Sequence, residues 1–128
     1  MAREIGEAQR AFNTFIRIRD AGRPCICCGA PMGPNRPGGG IDAGHYLSVG
    51  SAPHLRFEES NVHAQRKSCN RPGGTTRAAF RAGMMARVGL AEVERLEADQ
   101  APRKFTIPDL REIRDKYRAL AREAALLM

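Results

Sequence analysis

The sequence contains no tryptophan, and its aromatic side chains are limited to two tyrosines and five phenylalanines. Because aromatic residues make up only 5% of the chain, aliphatic side chains and methionine must supply most of any core. A chain of 128 residues is long enough for one compact unit, but cores of this size are often reinforced by a metal ion or a disulfide. We therefore expect a single domain over residues 1–128 with such a reinforcing element.

Long apolar runs are also missing. No stretch approaches the roughly 18 consecutive apolar residues of a membrane-spanning helix, and residues 1–4 do not begin an apolar signal-peptide core. These absences exclude a membrane partner from the prediction and favour a cytoplasmic protein. In a reducing compartment, the four cysteines are expected to bind metal rather than to form disulfides.

Negative charge is scarce relative to positive charge. The chain has 21 Lys and Arg residues against 14 Asp and Glu residues, which gives a formal charge of +7. Residues 60–91 contain no carboxylate but hold Arg66, Lys67, Arg71, Arg77, Arg81 and Arg87. A polyanion such as DNA is the expected partner, and a solvated basic helix face is the alternative interpretation.

The pattern of apolar residues, glycines and prolines predicts an α+β chain. The predicted elements are a helix over 4–21, a loop over 31–40, antiparallel strands over 41–47 and 54–57, and helices from Thr75 or Thr76 to Gly89, over 90–98 and from Thr106 onward. They divide into an N-terminal helix (1–22), a central part with the cysteine turns (23–88) and C-terminal helices (89–128).

The cysteines have the spacing of a metal site. Cys25 and Cys28 form a Cys-x-x-Cys turn, in which two thiolates can occupy two corners of a zinc tetrahedron. Cys69 offers a third sulfur, whereas Arg66 stands where a fourth ligand would fit and cannot coordinate. Three outcomes stay open: His63 completes the site, Cys27 completes it through a distorted turn, or the thiols pack as small apolar side chains without zinc.

Six motifs, one of which contains the cysteine turn, follow one another along the chain. They cover residues 12–20, 24–29, 41–46, 52–57, 60–63 and 69–70 and include Gly44-His45-Tyr46, Asn61-Val62-His63 and Cys69-Asn70. As a set, from about residue 8 to about residue 122, they resemble the NinG (Rap) recombination proteins of lambdoid phages, a branch of the HNH (ββα-metal) nucleases. The chain departs from that family's pattern at Arg66, where the pattern has Cys, and over residues 71–76.

The resemblance implies a fold and an activity. The fold is a small ββα-metal (HNH-like) core with zinc-knuckle-like cysteine turns, in which Cys25, Cys28 and Cys69 hold a structural Zn²⁺ and helices flank the core on both sides. The implied activity is that of a phage- or prophage-encoded, structure-selective DNA endonuclease that cuts branched recombination intermediates such as Holliday junctions.

The chemistry of single residues points to the same reaction. Hydrolysis of a phosphodiester needs a base near neutral pH, and His45 is the candidate because the unperturbed imidazole pKa is about 6.5. Asn61 is the predicted partner that orients the imidazole. A divalent cation such as Mg²⁺ would be held by Asn70, with His63 or Asp42 as a further ligand.

Strand geometry limits how these ligands can combine. In a regular strand, Asp42 and His45 point to opposite faces and could share one metal ion only if a bulge formed at Gly44. The predicted phosphate contacts are Arg56, Arg66, Lys67 and Arg71, which would give salt-dependent affinity with little base specificity.

Two other classes of function remain open. One is a catalytically impaired DNA-binding module of the same fold, and the other is a small zinc-binding domain whose C-terminal helices recruit a protein. A homodimer would suit a two-fold symmetric four-way junction. The apolar residues 124–128 are either the seam of such a dimer or part of the core.

Overall fold

The computed structural model describes residues 1–33 and 40–127, which form an α+β arrangement with a two-stranded antiparallel sheet. In chain order, the described elements are α1 (Ala2–Arg19), β1 (Ile41–His45), β2 (Val62–Arg66), α2 (Lys67–Asn70), α3 (Arg77–Val88), α4 (Leu90–Ala98) and α5 (Ile107–Leu126), with short 3-10 turns at Pro53–Leu55 and Glu59–Asn61. Most of the predicted 31–40 loop and Met128 lie outside the described residues. Among the described helices, none is long and apolar enough to cross a membrane.

Helices α1 and α5 pack along each other and against one side of the sheet. Phe12 of α1 is fully buried, with its ring 4.8 Å from that of Tyr117 and 5.8 Å from that of Phe57 in edge-on contacts. The N-terminus of α5 is fixed by a capping box, in which Thr106 and Asp109 each bond the other's backbone N–H. The predicted first and last helices are therefore confirmed.

The sheet differs from the prediction in its second strand. Strand β1 pairs with Val62–Arg66, and the predicted strand over 54–57 is wrong because a 3-10 turn begins there at Pro53. Proline lacks a backbone N–H and holds φ near −65°, which suits the first position of such a turn. The true second strand is buried, although His63 and Gln65 make it look polar in the sequence.

Helices α3 and α4 cover a second apolar cluster that contains Phe80, Met84, Val93 and Leu96. Thr76 caps α3 by accepting a hydrogen bond from the N–H of Ala79, and Gly89 with φ +88° separates α3 from α4, as predicted. The helix also approaches the cysteine turn very closely. A Cβ at Gly83 would collide with the backbone carbonyl of Ile26, so only glycine allows this backbone approach.

Asp20 joins α1, the sheet and α3 through one buried carboxylate. Arg19 donates to it from Nε at 2.8 Å and from Nη2 at 3.0 Å, and the N–H of Ala64 in β2 donates at 2.8 Å. Arg23 and Arg87 lie 3.6 Å from its oxygens. Burial favours the neutral acid, but the hydrogen bonds from Arg19 outweigh it and lower the Asp20 pKa. The end of α1 is thereby fixed to β2.

Candidate functional site

Three cysteine thiols converge beside the sheet. The Sγ atoms of Cys25, Cys28 and Cys69 lie within 4.8 Å of one another. Cys25 and Cys28 share a tight turn that Gly29 closes at φ +71°, and Cys69 comes from α2. Thiolates bound to one zinc ion at about 2.3 Å would stand roughly 3.8 Å apart in a tetrahedron. The separations of the three sulfurs are compatible with three corners of such a site, so the cluster could bind a metal ion.

Arg66 contacts two of the three thiols. Its backbone N–H donates to Sγ of Cys25 at 3.3 Å. A backbone hydrogen bond at Ala30, together with contacts from the other two thiols and from the Arg66 side chain, lowers the pKa of Cys28 to about 7. Burial raises the pKa of Cys69 to about 12. A cation thus lies next to the exposed cysteine, and it belongs to the residue at which the sequence places the missing ligand.

Within the described residues, neither His63 nor Cys27 joins the three thiols as a fourth ligand. The Cys27 thiol donates to Oε1 of Gln65 at 3.1 Å, and burial raises its pKa to about 11. The His63 ring is buried, with Nε2 2.8 Å from the carbonyl of Ser60, and burial lowers its pKa to about 4. Two of the three outcomes expected for the fourth position, ligation by His63 and by Cys27, thus find no geometric support.

His45 ends β1 with its proton position fixed. Its Nε2 lies 3.0 Å from the backbone carbonyl of Arg56. Because a carbonyl can only accept, Nε2 must carry the proton, and Nδ1 keeps a lone pair. Burial lowers the His45 pKa, so the imidazole is neutral at pH 7. A neutral imidazole with an unprotonated nitrogen is able to take a proton from water.

Asn61 is fully buried and spans the connection between the two strands. Its Oδ1 accepts from the N–H of Leu47 at 3.0 Å, and its Nδ2 donates to the carbonyls of Leu47 at 3.1 Å and Leu55 at 3.3 Å. The amide therefore bonds loop backbone rather than the imidazole of His45. Its connection to His45 is indirect. Asn61 bonds the carbonyl of Leu55, and the carbonyl of the next residue, Arg56, is the one that lies 3.0 Å from His45 Nε2.

A cavity of about 390 Å³ lies at the end of β1 and is lined by His45, Tyr46, Gln65, Asn70, Arg71 and Arg77, among others. Asn70 donates from Nδ2 to Oδ2 of Asp42 at 3.0 Å, and its Oδ1 accepts from Nε2 of Gln65 at 2.5 Å. Lys67 donates to the other Asp42 oxygen at 2.7 Å. Although burial opposes it, these bonds from Lys67 and Asn70 lower the Asp42 pKa.

The regular pairing of β1 separates two of the expected metal ligands from His45. Every residue of β1 has one partner in β2, with no bulge at Gly44, so Asp42 and His45 point to opposite faces. Gly44 pairs with His63, which places that ring on the Asp42 face as well. Asn70 is the expected ligand that lines the same cavity as His45. A Cβ at Gly44 would lie only 2.5 Å from Cδ of Gln65, whose side chain crosses this position.

Comparison with known proteins decides the family. The family model for the Bacteriophage Lambda NinG protein matches residues 2–126. The chain belongs to the NinG family. It is 36% identical to Protein ninG of Salmonella phage P22 and 35% identical to that of Escherichia phage lambda, in each case over 113 residues that cover 88% of this chain and 53% of the relative. The chain thus spans about half the length of these relatives, and no solved structure matches it.

The basic side chains of this NinG-family chain differ in availability. Arg66, Lys67 and Arg71 are exposed, but Lys67 is paired with Asp42. Arg56 is half-buried, because its Nε donates to Oε1 of Gln9 at 3.0 Å and its guanidinium lies 5.4 Å from the Phe57 ring centre.

Arg77 and Gln65 are among the residues of the NinG-family cavity that were not predicted as site residues. Arg77, at the start of α3, lies over the Tyr46 ring at 5.1 Å and lines the cavity with Gln65. Two features of the sequence pointed to Arg77: it lies in the carboxylate-free stretch 60–91, and it directly follows the helix-capping residue Thr76. Nothing in the sequence distinguished Gln65 from an exposed strand residue.

Proposed function

We propose that this NinG-family chain is a metal-dependent DNA endonuclease of the HNH type that acts on branched recombination intermediates. The observation that carries the proposal is the state of His45: a neutral imidazole, with Nε2–H held by the Arg56 carbonyl, beside a cavity that also contains Asn70, Arg71 and Arg77. A base, a polar ligand and cations at one concave place are the parts that phosphodiester hydrolysis requires.

The role of His45 is to accept a proton. Nδ1 would take one proton from a water molecule as the water oxygen attacks phosphorus. The P–O3′ bond would break as the new P–O bond forms, and O3′ would leave with the electron pair and take up a proton from solvent. The imidazolium that results is stabilised through the Nε2–H bond to the Arg56 carbonyl. A low pKa also lets the ring release that proton, since burial disfavours the charged form.

Oxygen donors suited to a hard divalent cation lie next to the cavity. The Asn70 amide oxygen belongs to a residue that lines the cavity; the Nδ2 of the same amide donates to the Asp42 carboxylate at 3.0 Å, and Lys67 pairs with the other Asp42 oxygen. A bound Mg²⁺ would supply charge neutralisation at the phosphate and the leaving oxygen. Asn70, which lines the same cavity as His45, would hold it, while Cys25, Cys28 and Cys69 would hold a separate, structural Zn²⁺.

The positive side chains around the cavity would position DNA. Arg71 and Arg77 line it, and Arg66 and Lys67 are exposed on the adjoining turn. Guanidinium and ammonium groups bind backbone phosphates without reading bases, so affinity would fall steeply with salt. Selection of branched DNA would then depend on the shape of the substrate rather than on its sequence.

A second candidate function is a DNA-binding module without turnover. It is favoured because the predicted metal ligands already bond other side chains. The Asn70 amide bonds both Gln65 and Asp42, and Asp42 is paired with Lys67. A divalent cation would have to displace these bonds before it could bind.

One experiment separates the two functions. We expect the wild type to nick a four-way junction with Mg²⁺, and His45→Ala to lose about 10²- to 10⁴-fold in rate, the usual contribution of a general base, with junction binding unchanged. His54→Ala is the matched control, because its Nε2 also bonds a backbone carbonyl, that of Asp99 at 2.7 Å, outside the cavity. Equal cleavage by the wild type and His45→Ala would remove His45 from the reaction. Binding by the wild type without any cleavage would establish the binding module instead.

A further inference from the structure

A second concave surface lies between the first and last helices. It has a volume of about 350 Å³ and shares no lining residue with the cavity at His45. Arg10 of α1 and Arg118 and Arg122 of α5 line it, and the small side chains of Ala11 and Ala121 form its floor. This surface is called the α1/α5 groove below.

The groove keeps an excess of positive charge. Glu7 is the carboxylate that lines it, and this carboxylate is shared by Arg3 at 3.0 Å, by Arg114 at 3.4 Å and by Arg118 at 3.8 Å. Within residues 1–33 and 40–127, Arg10 and Arg122 have no carboxylate oxygen within 4.0 Å. Both are exposed. Two guanidinium groups are therefore available to an anionic partner.

The charge continues from the groove toward the sheet. Arg10, Thr14 and Arg17 follow one another at helical spacing on one face of α1, and Arg17 donates from Nη2 to the Thr14 hydroxyl at 3.2 Å. At 1.5 Å per residue, Arg10 and Arg17 are separated by roughly 10 Å along the helix axis, about three base-pair steps of a DNA strand. The last turn of α1 then meets β2, where Arg19 donates to the carbonyl of Val62 at 2.8 Å.

The chemistry of the groove favours a phosphate backbone over a protein helix. Alanine side chains give a floor with little apolar surface to bury, so an amphipathic helix would gain little hydrophobic free energy there. Arginine side chains at the rims present planar donors that match phosphate oxygens.

We propose that the α1/α5 groove binds the phosphate backbone of a DNA duplex arm through Arg10, Arg118 and Arg122, and that Arg17 continues this track to the sheet that carries His45. The inference rests on the proposed nuclease function, because the arm bound here would belong to the branched substrate. It assigns the two long helices, which lie outside the two strands and the cysteine cluster, a role in substrate placement.

The test measures binding without cleavage. The affinity of a 20-base-pair duplex for the full chain is determined in EDTA across a series of salt concentrations for the wild type and two double variants. Arg10→Ala/Arg122→Ala removes the two groove arginines that have no carboxylate partner in the described residues. Lys104→Ala/Lys116→Ala removes the same charge, from +7 to +5, at exposed positions outside the groove. We expect the groove variant to bind at least about 10-fold more weakly near 0.1 M salt and to lower the slope of log K against log salt by about 1.8, for two lost phosphate contacts. The control should stay within about 3-fold of the wild type.

The outcomes separate this inference from the nuclease proposal. Equal weakening by the two double variants, an unchanged affinity in the groove variant, or no duplex binding by the wild type overturns the groove. A wild type that binds duplex through the groove but cuts no junction contradicts the nuclease proposal and leaves the groove assignment intact. If the wild type cleaves the junction and the groove variant binds duplex as well as the control variant does, the nuclease proposal is supported and the groove assignment is contradicted. Thermal unfolding of each variant checks that the fold is retained after the exposed arginines or lysines are removed.

Discussion

Replacement of Asn61 by alanine tests how the strand connection is held. The Asn61 amide is fully buried and makes three hydrogen bonds, two to the backbone of Leu47 and one to the carbonyl of Leu55. No other side chain bonds these three backbone atoms in the described part of the chain. Alanine at this position would therefore leave the N–H and the carbonyl of Leu47 without a partner, whereas the Leu55 carbonyl would keep its bond from the N–H of Glu58.

The expected cost follows from the number of bonds. Each intramolecular hydrogen bond contributes about 1 kcal/mol net, so Asn61→Ala should lower the free energy of unfolding by about 3 kcal/mol. For a chain of this size, such a loss corresponds to a fall in Tm of roughly 10 °C. The hydrogen exchange of the Leu47 amide should also accelerate, because Oδ1 of Asn61 is its acceptor.

Denaturant unfolding measures the free energy, and Asn13→Ala provides the matched control. Asn13 lies on α1, is half-exposed and accepts one bond from Gln9 at 2.9 Å, so its loss should cost less than about 1 kcal/mol. A loss for Asn61→Ala no larger than that of Asn13→Ala, or an unchanged exchange rate at Leu47, would refute the reasoning. It would mean that the loop is held by its own 3-10 turns and not by the amide.

The remaining predictions concern pH, metal and backbone contact. Burial holds the His63 pKa near 4, below its unfolded value of about 6.5, so its contribution to stability is complete above pH 6.5 and is lost as the pH falls toward 4. Between pH 7 and pH 4 the wild type should lose on the order of 3 kcal/mol more than His63→Gln, and equal losses in urea titrations would contradict the buried neutral ring. Arg66→Cys should raise zinc affinity at least about 100-fold in chelator competition by supplying a fourth thiolate; an unchanged affinity would show that the fourth position is not at residue 66. Gly83→Ala should cost more than about 2 kcal/mol, because a Cβ there meets the Ile26 carbonyl, whereas Gly50→Ala, with open space around it, should cost less than about 1 kcal/mol. Similar Tm values for these two variants would rule out the close approach.

The helical parts of the fold could be predicted because their signals are local. Thr106 and Asp109, three residues apart, predict the start of α5. Gly89 predicts the end of α3, because glycine readily adopts a positive φ, here +88°. The second strand could not be located in this way. His63 is buried by partners that are distant in the sequence, such as Arg19, so nothing near it distinguishes a buried polar strand from an exposed turn.

In the candidate site, too, the features with a local signal could be predicted, and those that depend on distant contacts could not. The Cys25–Cys28 spacing and Cys69 were sufficient to predict the sulfur cluster, because a tight turn fixes the first pair and the metal chemistry requires more thiolates. The role of Asn61 was assigned from residue type alone, and its true partners depend on how the loop 46–60 folds back. Likewise, Arg77 enters the cavity only because α3 lies across the Tyr46 ring.

The contact between Gly83 and the Ile26 carbonyl has a mechanical consequence. Backbone meets backbone there, with no side chain between them that could adjust its rotamer. A shift of the cysteine turn toward α3, for example on gain or release of a metal ion, would therefore press directly on the backbone of that helix. Since Arg77 and Phe80 of that helix line the cavity, and Cys69 of the cluster lines it as well, the width of the cavity would depend on the state of the cysteine cluster.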